Sequence, residues 1–223
     1  KTKMIIINSP HNPSGTTLTE NDLIELQKLV IGTNIIVVSD EVYEHMVFDG
    51  KPHQSVARFK TLAAQSIIVS SFGKTIHATG WKIGYVAAPE ELMVEFRKVH
   101  QFLVFCVNHP FQMALADYLK DESTYKGLHQ FYQVKRDYFR SLVSSSRFIL
   151  EPCTGTYFQL LNYKNISDEK DTDLAIKLTK ENGLASIPLS FFYTNQKQQQ
   201  LLRFCFAKKE ETLERAAEII CKI

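Results

Sequence analysis

The sequence predicts an α/β fold with a mostly parallel sheet, followed by a smaller α+β domain. Short β-branched runs alternate with helical patterns up to about residue 90, as in sheets whose strands are joined by helices. These runs are apolar throughout, which is typical of strands buried on both faces. After the segment SSSR, the pattern of strands and helices becomes that of an α+β domain. We therefore assign a large domain to residues 1–146 and a small domain to residues 147–223.

The first part of the chain is predicted to alternate strands with helices. Met4–Asn8 is a β-branched run that ends in a loop containing two prolines and a glycine. Thr19 is expected to cap a helix on which Leu23, Leu26 and Val30 recur at helical spacing. Three further strands are predicted at residues 34–38, 66–69 and 84–88. In such sheets ligands bind at the carboxyl ends of the strands, so functional residues are expected in the loops that follow them.

The second part is predicted to hold longer helices and shorter strands. A helix begins at Pro89, and an aromatic-rich helix spans about residues 120–145. A last helix starts at Glu210, with apolar residues along one face. The strands of the small domain are placed at residues 156–161, 184–187 and 201–206.

Composition excludes several classes of protein. With 44% hydrophobic and 22% charged residues, the 223-residue chain has enough apolar content for a folded core. Its 26 basic and 24 acidic residues are interleaved, so no nucleic-acid partner is expected. No apolar run approaches the ~20 residues that span a bilayer, so no membrane partner is expected either.

Cysteine and histidine spacing argues against a disulfide framework and against a metal site. The four cysteines include no CxxC pair, and the seven histidines show no HExxH-like spacing. We therefore predict reduced thiols in a cytoplasmic protein that binds no metal.

Three polar side chains in the loops after predicted strands stand out. Asp40 ends a buried strand, where an unpaired carboxylate costs on the order of several kcal/mol, so it needs a cationic partner. Lys74 follows another such strand among small residues, and a lysine in a confined site becomes a nucleophile toward carbonyl compounds. Asn12 lies between His11 and Pro13 in a turn that suits a rigidly held donor.

Four segments form an ordered set of motifs: HNPSG at 11–15, SDEVY at 39–43, SSFGKTIHATGWKIGY at 70–85 and RFCFAKK at 203–209. In this order and spacing they resemble the class I/II aminotransferases, which depend on pyridoxal 5′-phosphate (PLP). The resemblance covers essentially the whole chain and is strongest to the methionine and kynurenine aminotransferase branch. It implies the PLP-dependent transferase fold of type I, with residues 1–146 as part of the PLP-binding domain.

The resemblance implies a role for each matching position. Lys74 resembles the lysine that holds PLP as a Schiff base and moves the proton between the substrate Cα and the cofactor C4′. Asp40 resembles the carboxylate that pairs with the pyridine nitrogen, which would supply the cation that Asp40 needs. Tyr43 and Asn12 resemble the pair that hydrogen-bonds the 3′ oxygen of the cofactor.

The remaining matches concern the phosphate and the substrate. Ser71 and Lys82 resemble the phosphate ligands; many family members have arginine in place of Lys82, although the favoured branch often has lysine. Arg203 resembles the arginine that binds the substrate α-carboxylate as a bidentate pair, with Asn12 beside it. His11 and His77 are interpreted as supporting or structural, because Lys74 is available for proton transfer.

The implied activity is ping-pong transamination by a homodimer. A methionine or another large neutral or aromatic amino acid would be the donor, and a 2-oxo acid the acceptor. Two other interpretations stay open on the same motifs: a β-eliminating carbon–sulfur lyase, and a PLP-binding regulatory domain without turnover. A non-catalytic structural remnant, which would bind no cofactor, is a third.

The family's chains are much longer at the N-terminus. That part normally carries the first strands of the large domain, a glycine-containing phosphate loop and the aromatic residue that stacks on PLP. We therefore expect these 223 residues to be the C-terminal portion of a longer aminotransferase, with little or no activity by themselves.

Overall fold

The computed structural model describes residues 1–223, which divide into two compact units. The first unit comprises Lys1–Pro10 and Thr17–His129, and the second comprises His11–Thr16 and Gln130–Ile223. The main boundary between the units therefore follows His129, whereas the domain boundary predicted from the sequence follows residue 146. The assignment of domains to residues 1–146 and 147–223 stays a prediction.

The first unit is built on a four-stranded sheet in which three strands run parallel. The strands lie in the order β1 (Met4–Asn8), β2 (Ile36–Asp40), β3 (Ser66–Ser71) and β4 (Gly84–Ala87). β4 runs antiparallel to β3, and the other pairs are parallel. The predicted α/β class with a mostly parallel sheet is confirmed.

The helices of the first unit lie between and after these strands. Thr19 caps the first helix as predicted: its hydroxyl oxygen accepts a hydrogen bond from the backbone N–H of Asp22 at 3.2 Å, and the Asp22 carboxylate accepts the N–H of Thr19 at 2.7 Å. The helices are α1 (Glu20–Val30), α2 (Lys60–Ala63), α3 (Phe72–Thr75), α4 (Glu90–Leu103), α5 (His109–Tyr118) and α6 (Ser123–Lys126), with 3₁₀ turns at Val56–Arg58 and Thr79–Trp81.

A small apolar core joins α1 to the sheet. Leu23 and Val30, two of the residues whose spacing predicts the helix, are buried against Val37 of β2. Val56 and Leu62 complete the cluster from the segment before β3. Burying five aliphatic side chains, each worth roughly 1.5–3 kcal/mol, holds α1 on this face of the sheet.

Gly84 is expected to be intolerant of any side chain, because β4 begins in close contact with β3. A Cβ atom at Gly84 would overlap the backbone carbonyl oxygen of Ser70. We expect Gly84→Ala to lower the free energy of unfolding by about 1–3 kcal/mol, measured by chemical denaturation. Gly80→Ala is the control, because its Cβ would meet no atom within 4 Å. Equal denaturation midpoints for the two variants would contradict this prediction.

The second unit contains a four-stranded antiparallel sheet. Its strands lie in the order β5 (Ile149–Leu150), β6 (Phe158–Asn162), β8 (Leu201–Cys205) and β7 (Ile187–Pro188). Three helices accompany the sheet: α7 (Leu128–Val143), α8 (Asp171–Asn182) and α9 (Glu210–Ile220), with a 3₁₀ turn at Leu189–Phe192. Leu213 and Ile220 of α9 are buried, as the predicted apolar face requires.

Several helix predictions differ from the structure. The helix predicted over residues 120–145 is interrupted at Gly127, which separates α6 from α7. Glycine interrupts helices readily because it has the most backbone freedom to lose. The sequence analysis did not predict α5 or α8. None of the helices combines the length and the apolar character needed to cross a membrane.

Candidate functional site

Asp40 lies at the carboxyl edge of the parallel strands. It is the last residue of β2 and half-buried, and its Oδ1 accepts a hydrogen bond from the backbone N–H of Val42 at 3.2 Å. Its carbonyl oxygen accepts hydrogen bonds from the N–H of Ser9 at 3.1 Å and from the side-chain amide of Asn8 at 3.0 Å. The end of β1 therefore holds the backbone of Asp40 in place.

The end of β3 passes directly into α3, which carries Lys74. Ser71 is the last residue of β3 and caps α3, since its Oγ accepts a hydrogen bond from the N–H of Gly73 at 3.2 Å. Lys74 is half-buried, and its chain neighbours Gly73 and Thr75 are buried. Because β2 and β3 are adjacent and parallel, the structure brings Asp40 and the segment from Ser71 to Lys74 to the same edge of the sheet.

Tyr43 and Lys82 follow these strand ends but differ in burial. Tyr43 is buried in a tight turn after β2, in which its carbonyl oxygen accepts the N–H of Met46 at 2.8 Å. Lys82 is exposed and has a left-handed backbone conformation, with φ 55° and ψ 42°. Just before it, the ring of Trp81 stacks on Phe111 at 4.4 Å between centroids. The role of Lys82 stays a prediction.

Glu41 is a buried carboxylate that the sequence analysis missed. Only 2% of the residue is exposed. Its Oε1 accepts hydrogen bonds from the Ser39 hydroxyl at 2.8 Å and the Val56 N–H at 3.1 Å, and Oε2 accepts one from His53 Nε2 at 2.9 Å. Burial raises the pKa of Glu41, but the hydrogen bonds from His53, Ser55 and Ser39 outweigh it and hold that pKa below its ordinary value.

A second carboxylate of the same turn, Glu44, joins β3 to β4. Its Oε1 accepts hydrogen bonds from the hydroxyls of Ser70 at 2.8 Å and Tyr85 at 2.7 Å. Burial, together with the bond to Glu44, raises the pKa of Tyr85 to about 12. The turn after β2 is thus held by hydrogen bonds on both of its glutamates.

Two predicted site residues meet in the second unit. Nη1 of Arg203, in β8, donates a hydrogen bond to Oδ1 of Asn12 at 2.6 Å. The guanidinium carbon lies 4.0 Å from the ring centroid of Phe158 and 5.4 Å from that of Phe192. The sequence analysis assigned a role to neither ring. Arg203 is therefore held by one amide and two aromatic rings.

The segment that carries Asn12 is tied to the rest of the second unit through Gly15. The carbonyl oxygen of Gly15 accepts the N–H groups of Thr154 at 2.8 Å and Gly155 at 2.9 Å. Nδ1 of His11 lies 2.7 Å from the hydroxyl of Ser14, and burial lowers the pKa of His11. These contacts hold the loop that presents Asn12 to Arg203.

The arrangement offers acid–base and ion-pairing groups. The first unit places a carboxylate, a hydroxyl and an amine at one sheet edge, and the second unit holds a guanidinium suited to a carboxylate ligand. No group of three His, Cys, Asp or Glu side chains is arranged to hold a metal ion.

Comparison with known sequences points to one family. The pattern of aminotransferase class I and II matches residues 1–220. A methionine aminotransferase of Escherichia coli strain K12 is 47% identical over 219 residues, covering 98% of this chain and 57% of the relative. A kynurenine–oxoglutarate transaminase of Dictyostelium discoideum is 35% identical, covering 100% of this chain and 57% of the relative. The chain thus spans just over half the length of these curated relatives.

Solved structures show the same similarity. YbdL from Escherichia coli, described as having a methionine aminotransferase function, superposes with a TM-score of 0.97 at 45% identity over 100% of this chain and 59% of its own. N-succinyldiaminopimelate aminotransferase from Mycobacterium tuberculosis superposes with a TM-score of 0.92 at 33% identity, over 99% and 58% of the two chains.

Proposed function

The chain belongs to the aminotransferase class I and II family, and on that premise we propose that the protein is a PLP-dependent transaminase. The proposed donor is methionine or another large neutral or aromatic amino acid, and the acceptor is a 2-oxo acid. The names of the similar proteins, which include methionine and kynurenine transaminases, favour transamination over the lyase and the regulatory domain.

The observation that carries the proposal is the shared sheet edge of Asp40 and Lys74. The donor set at this edge fits PLP: a carboxylate suits a protonated ring nitrogen, and an amine suits an aldehyde. We assign the phosphate to Ser71 and Lys82. Tyr43 would hydrogen-bond the 3′ oxygen, and Asn12 is assigned to the same oxygen on the resemblance alone.

When bound, PLP supplies an electron sink for the electron pair left at the substrate Cα. In the proposed mechanism, Lys74 would hold the cofactor through its amine, and its Nζ would take up and release the proton of the substrate Cα. The carboxylate of Asp40 would pair with the ring nitrogen and favour its protonated form. Arg203 orients the substrate through its α-carboxylate, and the first oxo acid leaves before the second binds.

The test is to supply the protein at its natural full length with PLP, an amino acid and a 2-oxo acid. We expect methionine and aromatic donors to yield the matching oxo acid and a new amino acid, measured by chromatography. Release of ammonia and pyruvate from cystathionine, without amino transfer, would establish the lyase instead. PLP binding without any conversion of amino acids would establish the regulatory domain.

Arg203→Lys is expected to weaken binding of the donor. A lysine keeps the charge but loses the fork that pairs two hydrogen bonds with a carboxylate, and a hydrogen bond to a charged group is worth about 1.5–3 kcal/mol. We expect the KM for the amino acid to rise by roughly 10- to 100-fold with a smaller change in kcat. Arg97→Lys is the control, because Arg97 forms an exposed ion pair with Glu90. An unchanged KM would remove Arg203 from the substrate site.

We also propose that the protein acts as a homodimer in the cytoplasm. The support is the family resemblance and, for the compartment, the spacing of the four cysteines without CxxC pairs. Light scattering coupled to gel filtration of the full-length protein should give twice the subunit mass.

A further inference from the structure

Glu41 directly follows Asp40 in the chain, and its carboxylate accepts hydrogen bonds from several residues besides the Ser55 already named. Ser39 donates to it from within β2, and Val56 and His53 donate from the segment that follows the turn. Side chains alternate between the faces of a strand, so Ser39 and Glu41 share one face and Asp40 projects to the other. The hydrogen bond from Ser39 to Glu41 therefore joins the two chain neighbours of Asp40, the residue that the proposed function assigns to the cofactor.

The backbone beside Asp40 is also fixed by the sheet. The N–H of Glu41 donates to the carbonyl oxygen of Val69 in β3 at 2.8 Å, and the carbonyl oxygen of Asp40 accepts the N–H of Ser9 beyond β1. The peptide groups around Asp40 are thus held by both neighbouring strands. The Glu41 side chain adds a third point of attachment, to the segment that contains His53 and Val56.

Stability alone does not account for a carboxylate in this position. Well-packed apolar side chains commonly replace buried ionic groups without loss of stability. An apolar side chain could not accept hydrogen bonds. The carboxylate of Glu41 does, and it thereby links Ser39, on one side of Asp40, to Val56 and His53. Directed bonds of this kind hold a functional side chain in one geometry.

We propose that Glu41, held by His53 and Ser39, is a positioning residue that orients the carboxylate of Asp40 toward the ring nitrogen of PLP. The proposal rests on the proposed function, since it needs Asp40 to bind the cofactor. It assigns no contact with substrate or cofactor to Glu41 itself. It also gives His53 a role, because His53 holds the carboxylate oxygen that neither Ser39 nor Val56 reaches.

The test is a double-mutant cycle on PLP affinity in the full-length protein. Glu41→Leu fills the space but makes none of the hydrogen bonds, and we expect it to weaken PLP binding about tenfold, measured by equilibrium dialysis. Glu41→Gln retains an acceptor oxygen for Ser39 and Val56, and its amide N–H can donate to His53 Nε2 once the imidazole proton lies on Nδ1. It should therefore bind PLP within about threefold of the natural protein. In an Asp40→Asn background, Glu41→Leu should cause no further loss of affinity.

The cycle separates positioning from a general structural effect, because a structural loss would add to that of Asp40→Asn. Additive losses of PLP affinity, or unchanged affinity in Glu41→Leu, would refute the positioning role of Glu41 but leave the proposed function standing. If Asp40→Asn itself leaves PLP affinity unchanged, the cofactor assignment of Asp40 fails and the inference fails with it. Should Glu41→Leu not fold, His53→Gln is put through the same cycle, with the same non-additivity expected and additivity refuting the proposal.

Discussion

Replacing Lys74 with alanine is expected to remove covalent attachment of PLP and nearly all turnover. Lys74 is half-buried in the short helix after β3, and its amine is the proposed proton carrier. A positioned proton-transfer group contributes roughly 10²–10⁴-fold to the rate, so kcat should fall by at least that range. Borohydride reduction followed by peptide mass analysis should find the pyridoxyl group on Lys74 in the natural protein, and nowhere in the variant.

Lys60→Ala is the matched control for Lys74→Ala. Lys60 also belongs to a four-residue helix, α2, but it is exposed. Its removal should leave both the labelled peptide and kcat unchanged. Pyridoxyl label on another lysine of the natural protein, with full activity in Lys74→Ala, would refute the assignment.

Asp40→Asn is expected to lower kcat/KM by roughly 10²–10³-fold, the range found when one preorganised electrostatic partner of a reacting group is removed. Asparagine keeps the size of the side chain and an oxygen that can accept the N–H of Val42, so the strand end should stay intact. The variant lacks the negative charge that would keep the ring nitrogen of PLP protonated. Steady-state kinetics with methionine and a 2-oxo acid provides the measurement.

Asp117→Asn controls for the loss of a negative charge. Asp117 forms an exposed ion pair with Lys120, and pairs of this kind are worth little. We expect its kcat/KM to stay within about twofold of the natural protein. A similar small effect in Asp40→Asn would show that Asp40 does not serve the cofactor.

The strands of the first unit could be predicted from the sequence because their signal is local. An apolar β-branched run such as Met4–Asn8 indicates a strand from its own residues, although Met4 and Ile6 are exposed in this structure rather than buried as predicted. Thr19 likewise caps its helix through Asp22, three residues away. Helix α8 escaped prediction although acidic residues in its first turn and Gly183 at its end are helix signals. Its first residue, Asp171, is buried and accepts two hydrogen bonds from Ser190, a distant contact that sequence spacing does not show.

The candidate site was predicted through motifs, and the contacts that support it were not. Asn12 and Arg203 are 191 residues apart, so their hydrogen bond depends on the fold of the second unit. Glu41 was overlooked because a glutamate after a strand is usually solvated, and only its burial shows otherwise. Nothing in the local sequence sets Phe158 and Phe192 apart from other aromatic residues, and their role follows only from their position beside Arg203.

The aromatic rings beside Arg203 have a consequence for the thermodynamics of ligand capture. A mobile arginine surrenders up to about 2 kcal/mol of side-chain conformational entropy when a ligand immobilises it. Contact with Phe158 and the bond to Asn12 restrict the guanidinium before any carboxylate arrives. That entropy is therefore lost during folding, and a carboxylate meets a receptor that is already ordered. Phe158→Leu would remove one of the rings that restrict Arg203. The conformational entropy of the arginine would then be lost on ligand binding, and we expect a shorter residence time of the ligand.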